Sequence, residues 1–340
     1  KHTKNKGGLC RRSFCGKYAP LTLTDETGWL PCRNAYRRIR KPHKRRSIEM
    51  AKAKVNVKEE LTLKIIEMMK QGGTDWTMPF RSLNGSPSNP STGKAYRGIN
   101  ALWLGLLGQS TVAGYGQWAD LGWQVQKGSK AISITAPMIG KDKETGDSKM
   151  FGFRAAKVFS SDDVLNIKTG EAWKHPEVST VDLTERLHGV DAFIKSTGFT
   201  TDFTNEGKAC YTPALDKITM PNRELFEATK TSTATEAFYS TYLHECGHMT
   251  GHSSRLDRLG EKNKRGYAFE ELIAELTALF MCNQLQISSE PREDHAQYLK
   301  GWLKALGDDM DYIFKAATAA QKACDLLNSL QVSEEVSEAA

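Results

Sequence analysis

Two histidines four residues apart with a glutamate after the first, His244-Glu245-Cys246-Gly247-His248, place the tightest constraint on this 340-residue chain. Thr233 and Glu236 stand at the spacing of a capping box, residues 234–250 contain no proline, and Gly251 follows as a stop signal. The pentad is therefore expected on a helix, where a spacing of four stacks both imidazoles on one face about one turn apart. Both rings can then bind one metal ion, while Glu245 sits one position round, within reach of a water held by the metal. Neutral imidazoles in a tetrahedral site favour zinc, Zn2+.

A catalytic zinc needs a third protein ligand and one open position. Residues 268–285 read as a helix with an apolar stripe of Phe269, Leu272, Ile273, Leu276 and Phe280, while Glu271, Ala274, Glu275 and Ala278 line the opposite side. Carboxylates flanked by alanines suit a helix that another helix approaches closely with its metal. Glu271 is assigned as the third ligand and Glu275, one turn on, as the acceptor that orients a ligand histidine. The alternatives are a solvated helix face for the two glutamates and surface positions for the two histidines. Cys246 points away from both rings and reads as a small packing residue; His252, just past the helix, is a competitor for the metal. With zinc bound, Glu245 acts as general base in peptide hydrolysis. Tyr211, Arg255 and Tyr267 are the oxyanion or substrate-binding candidates near it in sequence.

The charge of the chain is split. Residues 1–48 carry 14 Lys and Arg against Asp25 and Glu26, a net +12; residues 49–160 carry +6 and residues 161–340 carry −11, which total the chain's +7. A cationic first half suggests a polyanion gripped there while other chemistry happens in the second. Residues 74–130 interleave Trp76, Tyr96, Trp118 and Trp123 with Lys94, Arg97, Lys127 and Lys130. Rings for stacking bases and cations for tracking phosphates are what single-stranded DNA binding uses. A core of buried aromatics with a solvated basic rim is the competing reading. The turn-rich stretch 89–100 favours the first, because it puts Lys94, Tyr96 and Arg97 on an exposed loop.

The longest apolar runs, residues 101–107 and 278–282, fall far below the roughly 18 residues of a membrane span. The first thirty residues are basic and lack an apolar signal segment. A soluble, unsecreted chain without a membrane partner is expected. The seven cysteines form no tight framework, which suits a reduced chain. Cys10, Cys15, Cys32 and His43 could ligate a structural zinc, the alternative being a flexible polycationic arm with incidental thiols.

The expected fold class is α+β: a small mixed α/β single-stranded-DNA-binding domain followed by a mostly helical domain with a small sheet. The expected boundaries are a basic, Cys-containing tail or small module at 1–48, the first domain at 49–165, a linker at 166–180, the second domain at 181–330 and an acidic end at 331–340. Within them, Val57, Leu61, Ile65 and Met68 mark a helix before Gly72-Gly73, and a short apolar helix starts at Asn100. Strands are expected at 130–135 and 150–157, a helix at 181–197, and a hairpin-like region at 210–220.

Asn89-Pro-Ser-Thr-Gly-Lys-Ala-Tyr-Arg-Gly-Ile-Asn100, Trp118, Gln124-Val-Gln-Lys-Gly-Ser-Lys130 and Lys157-Val-Phe159 resemble the single-stranded-DNA-binding domain of the ArdC-type antirestriction proteins. Tyr211-Thr-Pro-Ala-Leu-Asp-Lys-Ile-Thr-Met-Pro221, the segment 239–252 around the pentad, Arg255-Leu-Asp-Arg258, Glu270-Glu-Leu-Ile-Ala-Glu275, Asp294-His295 and Trp302-Leu303 resemble the same family's zincin-like metallopeptidase domain. The resemblance runs in order over about residues 55–328. It implies a plasmid or phage protein that enters the recipient bacterium with DNA and protects it from restriction in the cytoplasm. It also implies His244, His248 and Glu271 as zinc ligands and Glu245 as catalytic acid and base. Two departures stand out: residues 1–48 do not align with the family, and Cys246 replaces a larger aliphatic residue. The rival reading is a DNA-coating or virion-packaged, ejected phage protein whose metal site is structural or vestigial.

Overall fold

The computed structural model describes residues 57–72, 85–142, 145–175, 183–228, 232–260, 264–287 and 295–331, all within one compact unit. The basic stretch 1–48 with Cys10, Cys15, Cys32 and His43, then Trp76, and the acidic end past Gln331 lie outside the described residues.

The first half begins with α1 (Val57–Gly72), in which Val57, Leu61, Ile65 and Met69 are buried. A two-strand hairpin of β1 (Ser88–Asn89) and β2 (Lys94–Ala95) leads into α2 (Gly98–Leu106), buried continuously from Ala101 to Leu106. Then follow β3 (Val112–Ala113), α3 (Tyr115–Asp120), β4 (Trp123–Val125), β5 (Ile132–Lys141), β6 (Ser148–Ser160) and β7 (Val164–Asn166). The strand β6 lies between β3 and β5, antiparallel to both, and β4 pairs with β7. Strands β5 and β6 run well past the expected 130–135 and 150–157. Their outer half lies on no core, so it carries no apolar alternation by which to be read.

The second half comprises α4 (Leu183–Ser196), β8 (Thr201–Thr204), β9 (Cys210–Thr212), β10 (Lys217–Pro221), α5 (Ala234–Met249), α6 (Lys264–Gln284), α7 (His295–Asp308) and α8 (Tyr312–Ser329). The hairpin expected at 210–220 is β9 and β10, and β10 also pairs in parallel with β8 on its other edge. Among the described residues no helix is long and apolar enough to cross a membrane.

One hydrophobic core joins the halves, running from Leu61 and Ile65 of α1 and Leu102 of α2 to Leu243 of α5, Leu276 of α6, Leu306 of α7 and Leu327 of α8. Polar contacts reinforce it. The Gly98 backbone N–H donates to Gln321 Oε1 at 2.9 Å, Arg97 pairs with Asp325, and Lys58 pairs with Asp311 at 2.9 Å. A smaller cluster holds Ala113, Trp118, Val125 and Val164, with Trp123 and Trp173 packed on it. Trp173, within the stretch expected as a linker, meets Trp118 and Trp123 edge-on with ring centroids 5.1 and 4.9 Å away.

Candidate metal centre

Helix α5 starts as its sequence demands. Thr233 Oγ1 accepts from the Glu236 backbone N–H at 3.2 Å, and Glu236 Oε2 accepts from the Thr233 N–H at 3.0 Å, closing the capping box. Its far end falls where the sequence puts it, with Met249 last, Thr250 as the C-cap and Gly251 next, where a Cβ would lie 3.1 Å from both Cγ and Cζ of Arg258. Midway, a Cβ on Gly247 would lie 3.1 Å from Ala274 Cα and 3.2 Å from Thr277 Cβ. Gly247 and Ala274 thus let α5 and α6 nearly touch, which brings the carboxylates of α6 against the imidazoles of α5.

The resulting geometry is compact. His244 Nε2 and His248 Nε2 are 3.1 Å apart, and the two oxygens of Glu271 lie 3.6 Å from one and the other. A tetrahedral cation with bonds of about 2.1 Å separates its ligand atoms by about 3.4 Å, so these three groups already form one face of such a site. They are the group of metal-ligating side chains found among the described residues. Glu245 is 1% exposed at the same place.

The electrostatics ask for positive charge. Burial works against charging His248, yet Glu270, Glu271 and Glu245 outweigh it and push the imidazole up to about 10. Burial would raise Glu271, yet the two imidazoles hold it well below the usual carboxylate range. A divalent cation between them supplies the charge that a proton otherwise must.

The outer nitrogens are held differently. His248 Nδ1 faces Glu270 Oε1 at 3.3 Å, and Arg258 donates to both Glu270 oxygens at 3.0 Å. Arg258 also donates to Thr250 Oγ1 at 2.9 Å and to the Gly247 carbonyl. Glu275 Oε1 is 3.7 Å from His244 Nδ1, a buried nitrogen without a hydrogen bond. Glu275 therefore stands near His244 without a hydrogen bond to it, whereas the carboxylate behind His248 is Glu270. Sequence reasoning missed Glu270 and Arg258. The adjacent glutamates 270 and 271 are the signal that was available, because one step along a helix turns the second carboxylate to the other side of the same imidazole.

The remaining candidates separate. Tyr211 donates to Asp216 Oδ1 at 2.8 Å, and Arg255 pairs with the same carboxylate while donating Nε–H to the Met249 carbonyl at 2.6 Å. The Arg255 guanidinium holds Asp216 below the usual carboxylate range, while burial and then Asp216 hold the Tyr211 phenol well above its ordinary value. Arg255 bolts the β9–β10 turn to the end of α5, and the Tyr211 hydroxyl is engaged within the hairpin. Asp216 takes the left-handed conformation, φ 47°, that aims its carboxylate at Arg255. Tyr267 is 57% exposed one turn before Glu271 on α6. His252 Nδ1 bonds Ser254 Oγ at 2.8 Å and is not one of the three grouped ligands. Cys246 is fully buried, as a packing residue should be.

In the first half, Trp118 is 0% exposed and donates its indole N–H to the Phe159 carbonyl at 3.0 Å, so no base can stack on it. Trp123 is half-buried on Trp173. Trp118 belongs to the small core of α3, β4 and β7, and Trp123 packs against that core. Tyr96 is half-buried and donates to the Val112 carbonyl at 3.2 Å, while Lys94, Arg97, Lys127 and Lys130 are exposed.

Known proteins match both halves. A family described as the N-terminal domain of anti-restriction factor ArdC matches residues 55–161, and one described as zincin-like metallopeptidase matches residues 188–319. The y4eC protein of Sinorhizobium fredii is 32% identical over 81% of this chain and 92% of its own length. A protein of Escherichia coli named DNA primase TraC is 31% identical over 78% of this chain, which covers 19% of TraC. The crystal structure of antirestriction protein ArdC from plasmid R388, metal-free, shares 33% identity over 81% of this chain and 97% of that one, with a TM-score of 0.64. Its Mn(II)-bound structure aligns over 82% and 99% at 32% identity and the same TM-score. The grouped ligands and these relatives establish a divalent-metal site in a zincin-like domain. With both domains matched in order, the chain belongs to the family of ArdC antirestriction proteins.

Proposed function

We propose that this chain is a zinc metallopeptidase of the HExxH type joined to a single-stranded-DNA-binding half, and that it protects incoming plasmid or phage DNA from restriction in the bacterial cytoplasm. The observation that carries the enzymatic part is the near-tetrahedral face of His244, His248 and Glu271 with Glu245 buried beside it. A divalent cation held there supplies Lewis acidity to a peptide carbonyl and acidifies water. Glu245 accepts a proton on its carboxylate and passes it to the leaving amine. Glu270, braced by Arg258, keeps the His248 ring and its tautomer fixed, and Glu275 faces the outer nitrogen of His244 from 3.7 Å. Tyr267, exposed one turn before Glu271, is the residue assigned to the substrate side. In the other half, exposed Lys94, Lys127 and Lys130 supply cations for a DNA backbone.

The test is Glu245→Gln. It should retain about one zinc per chain and full single-stranded DNA affinity while losing cleavage of a casein-type substrate, measured together with protection of transferred plasmid DNA in a restricting recipient. Retained cleavage would remove Glu245 from the mechanism, and loss of zinc would make it a ligand.

A further inference from the structure

The strands β5 and β6 pair from Ile132 with Val158 out to Lys141 with Ser148, but only the inner half lies on a core. Beyond Ala136 and Arg154 the ribbon exposes Met138, Ile139, Met150, Phe151 and Phe153, between 41% and 69% of each. Water-exposed apolar side chains in one such cluster mark a binding surface. The backbone is shaped around one ring: a Cβ on Gly140 would lie 2.9 Å from Phe151 Cε2, so Phe151 lies across the neighbouring strand where glycine leaves room. The ladder shifts register between Met138 and Ile139, a bulge that re-aims the side chains beside it.

We propose that this outer ribbon is a single-stranded DNA contact, with Phe151 and Phe153 as its stacking rings. This rests on the single-stranded-DNA reading above and supplies what that reading lacks, since Trp118 is in the core. The outer ribbon carries the exposed cations Lys141 and Arg154 and no carboxylate within its strands, while Lys149 is paired with Asp142 of the connecting turn at 2.7 Å and Lys157 belongs to the inner half beside Ser133. Rings set among cations suit a polyanion with stackable faces. A second copy would oppose these cations with their own kind.

The test uses the full chain with zinc and a fluorescein-labelled 20-nucleotide single strand, read by anisotropy. Phe151→Ser and Phe153→Ser should each weaken binding about five- to a hundredfold, with melting temperature and zinc content unchanged because both rings face solvent. Lys141→Gln with Arg154→Gln should lower the slope of log affinity against log salt by about 1.4. A wild-type chain bound to 5-iodouracil DNA and irradiated should crosslink within residues 150–154, a readout that needs no variant. If the wild type binds but the Phe variants match it and no crosslink falls in the ribbon, the ribbon proposal fails and the DNA reading stands. If the wild type does not bind, both fail. Variants that bind DNA normally yet lose binding to anionic vesicles, or lose self-association in light scattering, would assign the ribbon to lipid or to a second copy and overturn the proposal.

Discussion

His248 is held from two sides: its Nε2 faces His244 and Glu271, and its Nδ1 faces Glu270 under the Arg258 guanidinium. The carboxylates raise its pKa to about 10, above the ordinary value of about 6.5. In the metal-free chain this contributes stability that is fully present below about pH 6.5 and lost as pH rises toward 10. Glu271 is depressed, so its contribution is present above the ordinary carboxylate range and lost only as pH falls through its lowered value. A metal needs the imidazole neutral and so competes with that proton. The gain in melting temperature on adding zinc should therefore grow as pH is raised from about 6.5 to 9, measured against chelator-treated protein. A gain independent of pH across that window would show that His248 releases no proton on binding. Glu270→Gln removes one of the carboxylates that raise His248, so its metal-free chain should lose stability at lower pH. The same variant should bind zinc about ten- to a hundredfold more weakly.

At the scale of elements, the site is a contact between two helices, and the contact depends on the smallest residue in the pentad. Adding a methyl at Gly247 would press on Ala274 Cα and Thr277 Cβ, atoms that cannot swing aside, so α5 and α6 must separate. Gly247→Ala is expected to cost about 1 to 3 kcal/mol by overpacking and to weaken zinc binding by moving Glu271 from the imidazoles. Unchanged melting and zinc titration would show slack between the helices. This much was legible beforehand: the capping box, the two histidines on one face and the alanines around Glu271 and Glu275 all announce a helix pair joined by a metal. The pairing of Glu270 with His248 was not, because spacing fixes a face of one helix but not which nitrogen of a ring on another helix it meets. Trp118 misled for a related reason. An aromatic among cations reads alike whether it stacks on bases or fills a small core, and only Phe159 and Trp173, distant in sequence, decide between them.

For the whole molecule, the metal helices and the N-terminal half are linked through packing. Helix α6 meets α8 through Thr277 and Cys324 and through the amide pair of Gln284 and Asn328, and α8 holds α2 through Gln321 and Asp325. A chain whose core runs from Leu61 to Leu327 without a break should unfold as one unit, although two families divide it. Calorimetry should then give a single transition whose midpoint rises with zinc. The gain should be about 2.7 kcal/mol at a free zinc concentration a hundredfold above Kd. Amide exchange in α2 should slow on adding metal, although α2 contributes none of the three grouped ligands, because opening α2 exposes the face of α8 that braces α6. Arg97→Ala, by breaking the exposed pair with Asp325, should barely change this, since such pairs contribute about 0 to 1 kcal/mol. Gly98→Val should change it substantially: Gly98 has φ 54°, where a β-branched side chain is strained, and its N–H holds Gln321. Two separate transitions in the wild type, with only one responding to zinc, would mean that the shared core does not couple the halves and that DNA binding and metal binding are thermodynamically independent.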